Sequence, residues 1–443
     1  MSDVDYDAVV VGAGYAGVTT ARNLRDQGHS VLLLEASERL GGRTFKRPFE
    51  GRPDIEIECG GEFVGLEAHI NVRREVERYN VPVDYSGPAN GPQTIRFFTG
   101  GELRSTPVPM ADLWAFEATA VRLHHAASRL TPSLPLYMQS VSDLDVSAEE
   151  FFRPLGLPDS MRDLLYALIG ANEGADPDAA SLLWLLGLFA SSGGSPLRYM
   201  MFGVFPSQTF TNGTQDLLER MIQNSRTQVR FSSRVTAVDD DGTTVTVTTE
   251  DNTEVRARAC VMAVPTNVLR HIQFHPGLPQ AQTDLVARNH SSRAIKVHMI
   301  VDNVPPTPMC IGRAPLQAII PRRQLDNGQW LLVGFGAEGV AHFDPRDRSA
   351  VEDALRYYLP EAKVVAVDGH DWGADPLFDG TYRVDRPGES KWVGYIMGAM
   401  AGRVAFAGGD IEERLSRSTL EGAIASADRA AAKVNDLLRG PRV

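Results

Sequence analysis

Cysteine is scarce in this sequence, and no two cysteines are close together. The three that occur, Cys59, Cys260 and Cys310, belong to no Cys-x-x-Cys or Cys/His ligand pattern. Disulfide frameworks and zinc sites need such clustering, so neither is expected, and no other metal site is indicated. The same scarcity favours a reducing compartment, and we expect the protein to be cytoplasmic.

Basic residues and long apolar runs are also in short supply. The chain of 443 residues has 44 lysines and arginines against 56 aspartates and glutamates, which gives a net charge of −12. A nucleic-acid surface needs clustered basic side chains, so no nucleic-acid partner is expected. No run approaches the roughly 20 apolar residues of a membrane helix, and the acidic start MSDVDYD does not resemble an export signal. We therefore expect neither a membrane partner nor export.

Glycine, by contrast, is abundant and has an informative spacing near the amino terminus. The stretch DAVVVGAGYAGVTTARNLRDQGHSVLLLE, residues 7–35, predicts a strand, a helix and a second strand. Gly12, Gly14 and Gly17 form the pattern G-x-G-x-x-G. The first permits a tight turn, the second lets a pyrophosphate approach the backbone, and the third lets helix pack on strand. Glu35 ends the second strand, where a carboxylate accepts hydrogen bonds from ribose hydroxyls, so the stretch predicts a dinucleotide site.

A second glycine pair follows and indicates which dinucleotide is bound. RLGGRT, residues 39–44, places Gly42 and Arg43 where both can contact the same pyrophosphate. With this segment the chain resembles the FAD-dependent amine oxidase family, which includes monoamine oxidases, polyamine oxidases and related L-amino-acid oxidases. The resemblance implies that the cofactor is FAD.

Further segments of this family recur in order along nearly the whole chain. The resemblance implies that the glycine pair of ECGGEFVG lies near the flavin and that the backbone of one valine contacts adenine. It also implies that FAGGD and the following helix lie against the ribityl chain, the pyrophosphate and the pyrimidine edge, where the positive end of a helix stabilises negative charge. The residues that these matches assign to the cofactor are Gly60, Gly61, Val235, Gly409, Asp410 and Leu420.

The resemblance and the apolar patterns together predict an α/β protein with two discontinuous domains. A Rossmann-like FAD-binding domain is expected from residues 1–85, 206–290 and 386–443. A substrate-binding domain of mixed sheet and helices, α+β in character, is expected from residues 86–205 and 291–385. The substrate pocket should lie between the two domains.

Three residues are candidates for the chemistry. Lys296 lies in the apolar strand IKVHM, and the family's matching lysine is joined through water to the flavin N5, where a cation promotes reoxidation. Trp372 and Tyr382 lie in DWGADPLFDGTYRVDRPGE, which by resemblance lines the flavin region and supplies one wall of an aromatic cage. Mitochondrial-type members have a flavin-linking cysteine just before that tyrosine. This chain has Thr381 there, so FAD is expected to be bound non-covalently.

The second wall of the cage departs from the family pattern. Near EGA the family commonly has a tryptophan and another aromatic residue, whereas this chain has Leu415, Ser416 and Thr419 in a segment one residue longer. We therefore expect a half-open cage that admits a bulkier or more polar amine, or one bound in a different pose. Other aromatic residues are candidates to complete the pocket, although core packing explains most of them better: Trp184, Phe189, Tyr199, Phe202 and Phe205.

The sequence therefore predicts an FAD-dependent amine oxidase. A neutral amine would transfer hydride equivalents to the flavin, and the resulting imine would hydrolyse to an aldehyde or ketone plus ammonia or an amine. Oxygen would be reduced to hydrogen peroxide. A small-molecule amine and O2 are thus the expected partners, and the assembly state stays open, with a homodimer as one candidate.

Four other functions stay open at this point. An L-amino-acid oxidase would need an arginine in the pocket, for which Arg96 and Arg198 are candidates. A dehydrogenase or desaturase would share every cofactor motif. A nicotinamide-dependent reductase would leave GGRT and FAGGD without a role, and a flavoprotein interaction module would bind flavin without turnover. The histidines form no Glu-x-x-His, His-x-His or Ser/His/Asp pattern, which disfavours hydrolases and metal enzymes.

Overall fold

The computed structural model describes residues 4–84, 92–191, 193–195, 208–290, 292–337 and 344–440. In chain order its strands are β1 (Tyr6–Val11), β2 (Val31–Leu34), β3 (Lys46–Phe49), β4 (Arg52–Glu58), β5 (Val83–Asp84), β6 (Thr94–Thr99), β7 (Glu102–Arg104), β8 (Thr209–Phe210), β9 (Gln228–Arg230), β10 (Val235–Asp240), β11 (Val245–Thr249), β12 (Glu254–Met262), β13 (Gln273–His275), β14 (Ala294–Asp302), β15 (Pro308–Gly312), β16 (Ala318–Gln324), β17 (Trp330–Ala337), β18 (Lys363–Gly369) and β19 (Val404–Phe406). The α-helices are α1 (Tyr15–Asp26), α2 (Ile70–Tyr79), α3 (Leu113–Ala127), α4 (Ala148–Phe152), α5 (Asp159–Glu173), α6 (Leu182–Ser191), α7 (Gln215–Ser225), α8 (Gln280–Arg288), α9 (Arg348–Arg356), α10 (Ser390–Gly398) and α11 (Leu420–Arg439).

The first large sheet is built around the amino-terminal strand. Its order is β13-β10-β11-β12-β1-β2-β9, and β19 pairs with β12. The strands β19, β12, β1, β2 and β9 pair parallel with one another, while β11 pairs antiparallel with both β10 and β12. The predicted strand–helix–strand unit is present as β1, α1 and β2, and Gly28, just after α1, has a φ of +89°.

This sheet is covered on both faces, which explains the unbroken run of apolar residues in β1. Ala8 and Val10 belong to the core beneath α1 and α11, whereas Val9 and Val11 belong to the core on the opposite face. When both faces of a parallel strand are buried, no side chain faces water, so apolar and polar residues do not alternate along it. The alanine-rich α11 packs directly on α1, because small side chains allow the two helices to approach closely.

The second large sheet has the order β18-β14-β17-β16-β15-β6-β7 and is mostly antiparallel. Along β14, Val297, Met299 and Val301 pack into the core next to α9, so Lys296 and His298 face the opposite side. On that opposite side lies a helical layer formed by α3, α5 and α6. The alternation of the strand therefore turns its lysine toward the middle of the molecule.

These sheets and helices confirm the α/β class with a mixed second sheet. The first sheet takes its strands from residues 6–34, 228–275 and 404–406, and the second takes its strands from residues 94–104 and 294–369. The exact domain bounds stay a prediction. Within the described ranges, no helix is long and apolar enough to cross a bilayer.

Candidate active site

One large cavity, of about 1030 Å³, runs from the glycine-rich start of α1 to the inner face of the second sheet. Loops that follow strands of the first sheet line one end, and β14–β17 with α5 and α6 line the other. Cofactor and substrate sites are commonly found in such positions between layers. Of the residues assigned from the sequence, all but Gly17 and Asp410 line this cavity; those that do are Gly12, Gly14, Glu35, Gly42, Arg43, Gly60, Gly61, Val235, Lys296, Trp372, Tyr382, Gly409 and Leu420.

The three glycines of the amino-terminal pattern are needed for different reasons. A Cβ atom on Gly17 would lie 1.8 Å from the Gly12 carbonyl oxygen, and one on Gly12 would lie 2.7 Å from the Ala263 carbonyl oxygen. Both are therefore required by the packing of the chain itself. A Cβ on Gly14 would meet no protein atom closer than 3.8 Å, and it would point toward the Gly41–Gly42 turn across the cavity. A side chain at position 14 would therefore be in ordinary van der Waals contact with this turn, so the fold does not exclude it, and the room fits the close approach of a phosphate group.

Glu35 is held at the end of β2 with its carboxylate on the cavity wall. One oxygen accepts a hydrogen bond of 2.6 Å from the Ala13 amide, and the other accepts one of 2.8 Å from the Ser37 amide. Val235, at the start of β10, lines the same end. This arrangement fits the ribose and adenine of a dinucleotide, and the individual contacts stay predictions.

Arg43 lines the cavity and is held in place by Asp410, which does not line it. Its guanidinium donates hydrogen bonds of 2.7 Å to Asp410 and 2.6 Å to the Thr381 carbonyl. Asp410 is 1% exposed and also accepts a bond of 3.2 Å from the Thr266 amide. Burial raises the pKa of Asp410, but Arg43, His290 and the Thr266 amide together outweigh this effect, and the pKa lies below its usual value. In the structure the contacts of Asp410 orient Arg43, and its predicted contact with the cofactor stays a prediction.

The start of α11 faces the cavity close to Gly409. Thr419 caps the helix, since its hydroxyl accepts a hydrogen bond of 3.1 Å from the Gly422 amide, and Leu420 and Ala423 line the wall. Helix amino termini carry a partial positive charge, which favours an anionic group in front of them. This end therefore fits the predicted position of a flavin's pyrimidine edge.

Lys296 enters the cavity beneath the segment that follows β4. Its ammonium group donates hydrogen bonds of 2.6 Å to the Glu58 carbonyl, 2.9 Å to the Gly60 carbonyl and 2.8 Å to the Glu62 carboxylate. Gly60 must be glycine, because a Cβ there would lie 2.0 Å from the Arg43 carbonyl oxygen. Only 7% of Lys296 is exposed, so the lysine in this apolar strand is not a solvent-facing residue.

Trp372 supports the same segment from the other side. Its indole NH donates a hydrogen bond of 3.0 Å to the Cys59 carbonyl, and the ring is packed edge-on against Phe378 and against His370. The structure thus places Trp372 and Lys296 on neighbouring backbone carbonyls of one short turn.

Tyr382 faces Trp184, from the leucine-rich helix α6. The two rings are within 15° of parallel and their centroids are 6.3 Å apart, while the Tyr382 hydroxyl donates to the Asn172 carbonyl at 2.6 Å. Leu415, which stands near the position where the family has an aromatic residue, packs in the core of the helical layer. Phe189 is a core residue, as expected, whereas Tyr199, Phe202 and Phe205 lie outside the described residues.

The chemical end of the cavity is mostly apolar, although the cavity lining also includes the polar residues Asn172, Ser191 and Gln208, and we call its apolar part the apolar chamber. It is lined by Ala167, Leu168, Ala171, Trp184, Leu188, Ile295, Met309, Ile311, Ala318, Ile320, Phe335 and Tyr382. Among the described residues, the arginines on the cavity wall are Arg43, which is held by Thr381 and Asp410, and Arg234, beside Val235. Arg96 does not line the cavity, and Arg198 lies outside the described residues.

The histidines form no metal site in the described parts of the chain. His298 shares the Glu58 carbonyl with Lys296; since a carbonyl only accepts, its Nε2 carries the hydrogen of this 3.0 Å bond. Burial, together with Lys296, lowers the pKa of His298 to about 3, so this histidine is neutral near neutral pH. His370 pairs with Asp375, and His342 lies outside the described residues.

Sequence reasoning missed two charged residues of this site. Glu62 lines the cavity and binds both Lys296 and Arg322, a residue of β16. The acidic residue directly after the glycine pair of ECGGEFVG was the available signal for Glu62. No signal in the sequence pointed to Arg322, because it lies 260 residues from Glu62 along the chain.

Comparison with known proteins agrees with this geometry. Residues 15–435 match the model of the family described as flavin-containing amine oxidoreductase. The chain is 34% identical to the (S)-6-hydroxynicotine oxidase of Paenarthrobacter nicotinovorans, over 96% of this chain and 98% of that protein. It is 30% identical to the nicotine dehydrogenase of Pseudomonas putida, over 98% and 89%.

Two solved structures share the fold. Putrescine oxidase bound to putrescine superimposes with a TM-score of 0.83 at 22% identity, over 97% of this chain and 99% of that one. Cyclohexylamine oxidase from Brevibacterium oxydans does so with a TM-score of 0.83 at 22% identity, over 98% and 100%.

Proposed function

We propose a function for this chain from one premise: it belongs to the flavin-containing amine oxidoreductase family. The proposed function is that of an FAD-dependent oxidase of a small, largely apolar amine. The observation that carries it is a single cavity that joins the glycine-rich nucleotide end to the apolar chamber, with Lys296 where the two meet. When bound, FAD accepts a hydride equivalent from the carbon that carries the amine nitrogen.

In this proposal the protein holds the substrate rather than exchanging a proton with it. Apolar walls disfavour a charged ammonium, so the chamber lowers the pKa of a bound amine and favours the neutral form that is oxidised. Tyr382 and Trp184 orient the carbon to be oxidised, and a positioned C–H bond accounts for much of the rate. The imine product hydrolyses to a carbonyl compound and ammonia or an amine, and O2 takes up two electrons and two protons to become hydrogen peroxide.

The charges of the cavity favour amines over amino acids. A substrate carboxylate needs a cationic partner. Of the two arginines described on the cavity wall, Arg43 is bound to Asp410 and to the Thr381 carbonyl, and Arg234 lies beside Val235 at the nucleotide end. We therefore propose that simple hydrophobic or cyclic amines are turned over in preference to L-amino acids. An assay of peroxide formation with both substrate groups tests this, and faster turnover of an L-amino acid would contradict it.

A dehydrogenase is the second candidate, because relatives at 30% identity include a nicotine dehydrogenase and a pseudooxynicotine dehydrogenase. The two candidates differ only in the electron acceptor. Amine-dependent consumption of O2 with an equal amount of peroxide supports the oxidase. Turnover that requires an added dye or electron-carrier protein supports the dehydrogenase.

Replacing Trp184 with alanine should change substrate preference. The variant loses a ring that faces Tyr382, and aromatic contacts of this kind contribute about 0.5–1.5 kcal/mol beyond their buried area. We expect kcat/KM for a ring-bearing amine to fall about tenfold, with a smaller loss for a short linear amine. Trp184→Phe retains a ring and is the matched control. Equal losses for all amines would count against a role in specificity.

Denaturation in acid should release free FAD. Thr381 stands directly before Tyr382, and its hydroxyl bonds to that of Ser292 at 2.8 Å, so this position lacks the thiol that could form a covalent link to flavin. Cys59 also lines the cavity, but burial raises the pKa of its thiol and keeps it protonated. Precipitation followed by absorbance of the supernatant measures the release. Flavin that stays on the polypeptide would contradict a non-covalent site.

A further inference from the structure

Three charged side chains form a cluster at the edge of the cavity, which we call the Glu62 triad: the buried Glu62 and Lys296, and the half-buried Arg322, whose side chain is 20% exposed. One oxygen of the Glu62 carboxylate lies 2.8 Å from the Lys296 ammonium nitrogen, and the other accepts a hydrogen bond from the Arg322 guanidinium. The side chains of Glu62 and Lys296 are 5% and 8% exposed. The triad therefore combines two cations with one anion, and its Lys296 and Glu62 charges are largely shielded from the screening effect of water.

The hydrogen bonds of the triad fix where the lysine charge lies. An ammonium group has three donors, and Lys296 has three acceptors: the carbonyls of Glu58 and Gly60 and the carboxylate of Glu62. The two carbonyls belong to the turn that lines the cavity, and the carboxylate is the only charged acceptor of the three. Glu62 thus selects the position of Lys296 among the rotamers that a long side chain could adopt.

The environment keeps Glu62 ionised. Burial raises the pKa of Glu62, but Lys296 and Arg322 together outweigh this effect, so the pKa lies below its usual value. The rings of Phe63 and Phe335 lie within 5.9 Å of the Lys296 nitrogen, and Phe63 also packs against Arg322. These aromatic faces stabilise the cations and exclude water from the side that faces the cavity.

Two other titratable groups lie near the Glu62 triad, and neither places a charge in contact with Lys296 or Glu62. His298 contacts the same Glu58 carbonyl but is neutral at neutral pH. The carboxylate of Glu58 points away, to the amide and hydroxyl of Thr214. Among the described residues, the charges in direct contact with Lys296 and Glu62 are therefore those of the triad itself.

We propose that Glu62 is a positioning residue for Lys296 and that Glu62 and Arg322 together set the positive charge which Lys296 presents to the flavin. The net charge of the triad is then +1, and it changes to +2 when Glu62 becomes glutamine and to 0 when Arg322 becomes methionine. A more positive triad stabilises the reduced, more negative form of the cofactor. This inference rests on the proposed function for its FAD and on the described contacts for its charges.

The test measures the midpoint potential of bound FAD without amine and without oxygen, by equilibration with a redox dye. At a fixed dye potential, we expect Glu62→Gln to raise the ratio of reduced to oxidised FAD about tenfold, as one unit charge about 10 Å away in a medium of effective dielectric constant near 20 would do. Arg322→Met should lower the ratio by a similar factor. Arg129→Met, which breaks an exposed ion pair with Asp143, is the matched control and should leave it unchanged.

Opposite shifts in the two triad variants support the proposal, because a merely structural disturbance would move both in the same direction. Equal potentials in all variants that retain FAD, or shifts of one sign, would overturn it. If Glu62→Gln does not fold, as judged by its thermal unfolding temperature, Arg322→Met alone tests the proposal. A lower ratio of reduced to oxidised FAD in that variant supports the proposal, and an unchanged or higher ratio overturns it. Purified protein that binds no FAD at all would refute the proposed function instead.

Discussion

Replacing Gly14 with alanine should give a folded protein that has lost most of its affinity for FAD. The nearest protein atom to the added Cβ is the Gly41 carbonyl oxygen, at 3.8 Å. Gly14 has a φ of −77°, which alanine adopts freely. The methyl group instead occupies the space that we assign to the pyrophosphate. We expect FAD binding to weaken by roughly ten- to a hundredfold, in line with about 1–3 kcal/mol for overpacking.

The matched variant is Gly17→Ala, three residues along the same turn. Its Cβ would lie 1.8 Å from the Gly12 carbonyl oxygen, so the strand and helix cannot keep their contact. We expect this variant to lose about 3 kcal/mol or more of folding free energy, whether or not FAD is present. Circular dichroism on heating and flavin titration separate the two effects. A Gly14→Ala protein that binds FAD normally would place the pyrophosphate elsewhere.

Replacing Lys296 with methionine should slow the oxygen-dependent half of the reaction by about a hundredfold, the usual effect of removing one preorganised charge from a dry site. The lysine charge favours the negative charge that O2 acquires as it accepts an electron, and methionine fills a similar volume without that charge. Because Lys296 exchanges no proton with the amine in this account, reduction by amine should change much less.

Rapid mixing resolves the two halves of the Lys296→Met reaction. Reduction is followed by mixing oxidised protein with amine in the absence of air, and reoxidation by mixing reduced protein with oxygenated buffer. Equal slowing of both halves would indicate a structural role for Lys296. Arg322→Met provides a comparison, since it also gives the Glu62 triad a net charge of zero but keeps the lysine in place.

The nucleotide end of this protein could be predicted from sequence because its determinants are local. In β1, α1 and β2 the apolar runs, the glycine spacing and Glu35 all lie within 30 residues of one another, and each acts through backbone geometry. Strand β14 was predictable for the same reason, although its lysine became interpretable only through the family resemblance. Gly12 and Gly17 are needed by the fold, whereas the fold leaves room for a Cβ at Gly14, where we propose that a ligand approaches; this distinction required the packing around each residue.

The substrate end was harder to predict because its residues come together from distant parts of the chain. Trp184 lies in an all-apolar helix where a tryptophan is indistinguishable from core, and only the packing of α6 brings it to face Tyr382. Glu62 and Arg322 are 260 residues apart, and no periodicity links them. The contact of Asp410 with the cofactor stays a prediction, and its orientation behind Arg43 depends on the side chains around it.

The measurement that tests the account most directly is an anaerobic absorbance titration of the purified protein with hydrophobic amines, polyamines and L-amino acids. We expect a bound flavin whose absorbance band is bleached by a hydrophobic or cyclic amine at one equivalent per site and is little affected by L-amino acids. A flavin that no amine reduces, or one bleached only by an amino acid, would contradict it.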